Sequence, residues 1–334
     1  MASSQRHIRC AFPGWPLPNS YEPGFASGRL VERATGFPDV RMTGRDEYYN
    51  KAKQQGYRAR SAYKLQQLDE TADLLGEGRT VVDLGAAPGG WLQVAAERVG
   101  PEGLVVGVDR QRIDPLEERG EDVPVLTVRG DVTEGSTVAA IRDAVSEATD
   151  GDGDSEDGRG GGDGDGGDAA GDGADKDSGG PVHVVLSDMA PNVSGEYDLD
   201  HARSVHLARQ AFEIALELLR PGGDLAVKVF DGRDLEDLQA DVEREFQYVR
   251  QVRPEASRDE SSELYLVAKG RLTGPVREGD VREVEIVDEG DQGDGIAKLE
   301  GYTLFVPDGE VGETLTVRVE DVKPTYGFAR RVDE

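Results

Sequence analysis

The sequence predicts an α/β fold, a mostly parallel sheet flanked by helices, followed by a small β-barrel. Three observations carry this. Short apolar runs, several ending in aspartate, alternate with helical stretches from residue 80 to residue 270. The first run, Thr80 to Leu84, breaks into a small-residue loop (Gly85, Ala86, Ala87, Pro88, Gly89, Gly90) that opens a helix, the arrangement in which open α/β sheets admit a nucleotide-sized ligand. Beyond residue 271 the pattern changes to short alternating segments punctuated by glycines, the signature of a small barrel.

Composition narrows the class. The 334 residues carry 38 Lys+Arg against 67 Asp+Glu, a formal charge of −29. The acidity is spread through both halves, as on a protein solvated at very high salt, where screening shortens the Debye length to about 3 Å at 1 M. Such a charge does not exclude RNA as a partner, because counterion release contributes little to affinity in concentrated salt. Cys10 is the one cysteine, and His7, His183, His201 and His206 lack ligand spacing, so neither a disulfide nor a metal is expected. No apolar run reaches the roughly 18 residues of a membrane span, and no signal-peptide pattern opens the chain. A soluble, cytoplasmic protein is expected.

Residues 1–41, rich in proline, glycine and arginine without period, are expected to be disordered, and Met42 is an alternative start. From Asp46 to Leu75 the pattern is helical, with Ala62, Leu65, Leu68, Ala72 and Leu75 on one face. A basic, aromatic cluster precedes it (Tyr48, Tyr49, Lys51, Lys53, Tyr57, Arg58, Arg60, Tyr63, Lys64). It reads either as an RNA-stacking surface or as a solvated helix face with tyrosines on the core.

The loop spacing is not G-x-G-x-x-G, and Pro88 removes an N–H that a pyrophosphate would need, so a nicotinamide dinucleotide is disfavoured. Asp83 lies near the end of the first strand. Leu104–Asp109 and Val125–Asp131 are further strands ending in carboxylates: Asp109 is placed to bond a ribose, and Asp131 to meet an adenine amino group. Residues 147–180 collapse into Gly, Asp and Ala and read as a solvated insert without the period of calcium-binding repeats. His183–Met189 is the next strand, ending at Asp188, and a helix follows from Ala202 to Leu219. In the strand Asp224–Phe230, Lys228 interrupts an apolar run; burying an ammonium costs several kcal/mol unless it is paired, so it is either a strand end reaching solvent or a functional group. After a helix over Leu235–Phe246, Tyr248–Pro254 and Glu263–Lys269 suggest a hairpin, which would place Glu263 at the edge that holds Asp188 and Lys228.

With these blocks in place, the chain resembles the FtsJ family of heat-shock ribosomal RNA methyltransferases. The matching segments are RSAYKLQQLDE (60–70), VVDLGAAPGGW (81–91), GD (130–131), SDMAPN (187–192), PGGDLAVKVFDG (221–232) and SRDESSELYLVAKG (257–270). The resemblance implies a Rossmann-like sheet of seven strands, the last antiparallel, that binds S-adenosylmethionine over residues 42–270. It also implies transfer of a methyl group to the ribose 2′-hydroxyl of a uridine in 23S rRNA of the large subunit. By the same resemblance Gly89, Trp91, Asp109, Asp131 and Asp188 contact the cofactor, while Lys64, Asp188, Lys228 and Glu263 form a catalytic tetrad with Lys228 as proton acceptor. An electrostatic role for Lys228 stays open. Residues 271–334 resemble a TRAM domain, an RNA-binding barrel, through DGIAKLEGYTLFVPDGEVGETLTVRVEDVKPTYGFAR; Lys298, Tyr302, Phe305, Lys323, Tyr326, Phe328, Arg330 and Arg331 are candidates for its RNA face. Methylation of tRNA or another RNA, and a non-catalytic ribosome-assembly factor, are the alternatives. A monomer is expected.

Overall fold

The computed structural model describes residues 45–116, 122–150, 181–257, 261–290 and 293–332. The expected disorder of residues 1–41 and nearly all of the expected insert lie outside them. The helical stretch before the sheet is two helices rather than one: α1 (Arg45–Gln54) and α2 (Ala62–Ala72), separated where Gly56 takes a φ of +75°. Helix α2 turns Ala62, Leu65, Leu68 and Ala72 fully inward, and each buried leucine contributes about 1.5–3 kcal/mol.

The sheet contains β1 (Thr80–Leu84), β2 (Leu104–Asp109), β3 (Val125–Arg129), β4 (Val182–Ser187), β5 (Leu219–Phe230), β6 (Phe246–Val252) and β7 (Glu263–Arg271), in the order β3-β2-β1-β4-β5-β7-β6. Strands β1 to β5 pair parallel; β7 runs antiparallel to both β5 and β6. The expected seven strands with one reversed are therefore present. The chain order reverses between β1 and β4, the switch point at which open α/β sheets leave a crevice.

Alternation along the strands divides the core. Val82, Leu84, Val106, Val185, Val227 and Leu266 face helices α4 (Gly135–Asp150), α5 (Tyr197–Leu218) and α6 (Leu235–Glu243). Val81, Val105, Leu186, Ala226 and Tyr265 face α2 and α3 (Gly90–Val99). Asp83 and Lys228, two residues along from Val81 and Ala226, point to this second side. Several boundaries differ from expectation, among them that of α6, which ends at Glu243 so that Phe246 opens β6. Helix α4 continues through Asp150, past the expected start of the insert, and returns the chain to the edge where β4 begins. Helix α5 starts at Tyr197, with Asp198 and Asp200 in its first turn, where carboxylates suit the positive end of the helix dipole. Strand β5 begins at Leu219, because pairing with β4 starts there and resumes at Asp224 after an irregular stretch in which Gly222 takes a φ of +78°.

The C-terminal strands β8 (Val281–Glu289), β9 (Gly295–Leu299), β10 (Tyr302–Val306), β11 (Thr314–Val322) and β12 (Tyr326–Arg331) close into a barrel in the order β10-β12-β11-β8-β9. Its interior holds Ile286, Ala297, Leu304, Val306, Val317 and Val319. Arg277 joins barrel to sheet through Glu245 Oε2 at 2.9 Å and the Arg244 carbonyl at 2.8 Å, and Gln247 donates to the Val322 carbonyl at 3.2 Å.

Candidate active site

The loops at the carboxyl ends of the parallel strands enclose a cleft of about 650 Å³ lined by Gly85, Ala87, Asp109, Asp131, Asp188 and Asn192, among others. Three of the five expected cofactor residues thus share one wall. Asp109 accepts N–H bonds from Ala87 at 3.0 Å and Gln111 at 2.8 Å, which fix its carboxylate while leaving lone pairs to face a ligand. Asp131 accepts from the Thr133 N–H at 3.0 Å; that bond, with Arg110 3.6 Å away, holds its carboxyl below the usual range. Gly89 and Trp91 stand apart from this lining. Gly89 caps α3 with a φ of +105°, where a Cβ would lie 3.0 Å from the Arg58 guanidinium. The Trp91 side chain belongs to the core, its indole N–H donating to the Ser61 carbonyl at 2.7 Å and its ring 5.8 Å from Tyr265.

Deeper on the α2/α3 side of the sheet, the four residues expected to act together do converge. Lys228, 6% exposed, donates to the Asp188 carboxylate at 2.9 Å and to the Asp188 carbonyl at 2.5 Å. Lys64, 5% exposed, lies 2.5 Å from Glu263 Oε1 in an ion pair whose angle is poor for a hydrogen bond. Two buried ammoniums thus meet two carboxylates, which offsets the cost of desolvating each. Because β7 is reversed, its first residue meets the last residues of the parallel strands: Phe230 pairs with Glu263, and Lys228 with Tyr265.

Tyr265 links the two ion pairs, and sequence reasoning missed it. Its hydroxyl donates to Asp188 Oδ1 at 2.6 Å, and its ring lies 6.0 Å from the Lys64 ammonium. Burial and the Asp188 and Glu263 charges push that phenol well above its ordinary value, so it stays a donor. The available signal was the two-residue spacing from Glu263, which puts both side chains on one face. Burial acts to raise the Asp188 carboxyl, but the charges of Lys228 and Lys64 and the Tyr265 hydroxyl outweigh it, and the group lies below its ordinary value. Asp83 behaves oppositely. It is 1% exposed, neither of its carboxyl oxygens has a hydrogen-bond partner, and burial, followed by the charges of Asp188 and Asp109, pushes it well above the usual carboxylate range.

Two expected RNA surfaces are revised. In the cluster before the sheet, Tyr57 and Tyr63 are buried, with hydroxyls on Glu97 at 2.8 Å and Gln55 at 2.7 Å, while Arg58 holds the carbonyls of Pro88, Asp114 and Pro115. Tyr49, Lys51 and Lys53 remain exposed. On the barrel, Tyr302 is buried, because β10 alternates Tyr302, Leu304 and Val306 inward, and its hydroxyl donates to the Lys323 carbonyl at 2.9 Å. Phe305, Tyr326 and Phe328 instead gather their rings within 5.6–5.9 Å of one another, Tyr326 and Phe328 about 40% exposed. Lys323, Arg330 and Arg331 pair with Asp321, Glu320 and Glu313. Among the described residues no group of His, Cys, Asp and Glu could hold a metal, and no helix is long and apolar enough to cross a membrane.

Comparison with known proteins places this geometry. Residues 57–271 match the FtsJ-like methyltransferase family and residues 275–332 the TRAM domain. The chain is 63% identical over 292 residues to the ribosomal RNA large subunit methyltransferase E of Haloarcula marismortui, covering 87% of this chain and 100% of that protein. It is 58% identical to the protein of the same name from Natronomonas pharaonis, again over 87% of this chain and 100% of the relative. A crystal structure from Plasmodium falciparum, described as that of a ribosomal RNA methyltransferase, overlays with a TM-score of 0.49 at 24% identity, over 65% of this chain and 100% of that one. With the family model spanning most of the sheet region and such identity to haloarchaeal relatives along their full length, the chain belongs to the FtsJ-like methyltransferase family and carries a TRAM domain at its C-terminal end.

Proposed function

We propose that the protein is a cytoplasmic, S-adenosylmethionine-dependent enzyme that methylates the ribose 2′-hydroxyl of a uridine in 23S rRNA of the large ribosomal subunit. The relatives' names carry the rRNA assignment, and their haloarchaeal sources agree with a surface of net charge −29. The observation that carries the chemistry is the buried Lys228–Asp188 pair at the cleft wall, with Lys64–Glu263 beside it.

The cleft fits the cofactor on one observation above all: Asp83, a buried carboxyl without a partner next to two cleft aspartates, suits a cationic ligand. Asp109 would hold its ribose and Asp131 its adenine amino group. When bound, the cofactor would supply an electrophilic methyl group and leave as the neutral thioether, the electron pair of the broken S–CH₃ bond staying on sulfur. The protein's work is on the acceptor. The 2′ O–H bond breaks, an O–CH₃ bond forms, and the departing proton goes to Lys228 Nζ. To take that proton Lys228 must first release one from its ammonium to solvent; the two remaining N–H groups then hold Asp188 while the lone pair turns to the hydroxyl. Lys64, held by Glu263, stabilises the developing alkoxide. Tyr265 keeps Asp188 aligned with Lys228.

The test is complementation of a deletion strain followed by mass analysis and 2′-O-methyl mapping of its rRNA. The wild-type gene restores one methylated uridine in 23S rRNA and Lys228→Ala does not, while the purified variant binds S-adenosylmethionine nearly normally. Full function of Lys228→Ala overturns the reading; a restored site in tRNA redirects it.

A further inference from the structure

At the rim that carries Lys228 and Glu263, one aromatic ring has no task in the chemistry above. Tyr197, the first residue of α5, is 59% exposed, yet it is held in place. Its hydroxyl donates to the Asp231 carbonyl at 2.7 Å, and one ring face lies nearly parallel to the buried His201 ring, 11° apart in plane at 6.5 Å. His201 is itself fixed: Nε2 accepts the Asp234 N–H at 3.2 Å, and Nδ1 donates to the Phe230 carbonyl at 3.1 Å. Gly232 lets the loop pass directly over that ring, since a Cβ there would fall 2.5 Å from it.

The anchor for the Tyr197 hydroxyl, Asp231, lies three residues beyond Lys228, and its N–H donates to the Ser262 carbonyl at 2.7 Å, one residue before Glu263. The approach from Asp188 to Tyr197 is also fixed, because Asp200 accepts the Ser194 N–H and hydroxyl at 2.8 Å each and the Gly195 N–H at 3.0 Å. Arg233, 84% exposed, puts a cation on the loop that anchors Tyr197, 3.5 Å from Asp234 Oδ1 in a solvent-exposed pair that a phosphate can replace. A pinned, exposed ring with a cation on the adjoining loop is an arrangement that stacks one base and meets its phosphate.

We infer that Tyr197 is a stacking platform for a nucleobase of the RNA strand whose ribose enters the Lys228 site, the target base or its immediate neighbour. The inference rests on the RNA-methylating reading above. It makes Tyr197 a substrate-binding residue: stacking holds the strand at the rim and so lowers its KM, while the hydroxyl of Tyr197 serves only as an anchor.

The full-length protein is tested in molar KCl with protein-free large-subunit rRNA from the deletion strain, measuring filter binding, methyl-transfer kinetics, calorimetric S-adenosylmethionine affinity and melting temperature. Tyr197→Phe keeps rRNA affinity within about two-fold. Tyr197→Ala and the bulk-preserving Tyr197→Leu each weaken rRNA binding and raise its KM about ten-fold, with kcat at saturating RNA, cofactor affinity and melting temperature nearly unchanged. Wild-type affinity in Tyr197→Leu overturns the inference, as does a loss in Tyr197→Phe equal to that in Tyr197→Ala. If the wild-type protein binds rRNA but transfers no methyl group, the proposed function fails, and the Phe, Leu and Ala affinities still decide the stacking role.

Discussion

The two edges of the sheet each set an aspartate against a lysine, and they differ in what is left over. At the edge where the parallel strands begin, Asp224 accepts Lys269 at 2.7 Å, Arg79 at 3.3 Å and the Gly270 N–H at 3.1 Å, and Lys269 also donates to the Asp73 carbonyl. Nearby, His183 Nδ1 accepts the Thr80 N–H at 3.0 Å. Each of these groups has its partner within the fold. At the opposite edge Asp188 holds Lys228 and Tyr265, but it also lines a cleft, and Asp83 beside it has no partner. The same ingredients make a saturated structural clasp at one edge and, at the other, the site proposed to carry the chemistry.

That contrast can be broken by substitution. Lys228→Ala should lower methyl transfer by at least about 100-fold, the loss expected for a proton acceptor, while the melting curve shows the protein still folded. Asp224→Ala should do the reverse: it orphans partly buried cations and removes a clasp worth about 3 kcal/mol, seen in denaturant unfolding, with kcat intact for the folded fraction. An Asp224→Ala protein that is stable but inactive would erase the distinction between the edges.

Smaller effects sharpen it. Asp83→Asn should weaken S-adenosylmethionine binding about ten-fold in calorimetry without loss of stability, because it discards a carboxyl that only a cation would satisfy. In the wild type, cofactor binding should tighten as pH rises through the elevated titration of Asp83, with a proton released on binding. His183 supplies a pH test at the other edge. Burial, then the charges of Arg220 and Arg79, lower its pKa to about 4, against 6.5 for the free side chain. The unfolded chain therefore takes up the proton first, and the contribution of His183, complete above pH 6.5, is lost as pH falls toward 4. After discounting for partial burial the loss is about 1–2 kcal/mol, and His183→Gln should flatten that part of the stability profile. On the barrel, Tyr326→Ala or Phe328→Ala should weaken rRNA binding several-fold, the cost of one lost stacked base, and leave kcat unchanged.

Much of the site was legible because its chemistry sits at ends of strands. Asp109, Asp131 and Asp188 close apolar runs, and Lys228 stands out within one, so their gathering on a single edge follows from the α/β pattern. Lys64 is different: on α2 it reads as an ordinary surface lysine, and only family resemblance singled it out. Tyr265 and the isolation of Asp83 were not legible. Both depend on which strands are neighbours, and a linear sequence does not reveal that β7 inserts between β5 and β6. The revised positions have local causes. Tyr57 turns inward because the chain bends at Gly56, and Tyr302 does so because strand alternation outweighs the polarity of its hydroxyl, which finds a carbonyl partner inside the barrel.

Helix α4 hands the chain back at the edge away from Lys228, so the glycine- and aspartate-rich segment after residue 150 attaches behind the chemistry. This makes it a natural grafting position. A fluorophore, an affinity handle or a short splice joining α4 to β4 can be introduced between those two ends, on the opposite edge from Lys228, which gives a practical route to immobilised or labelled protein.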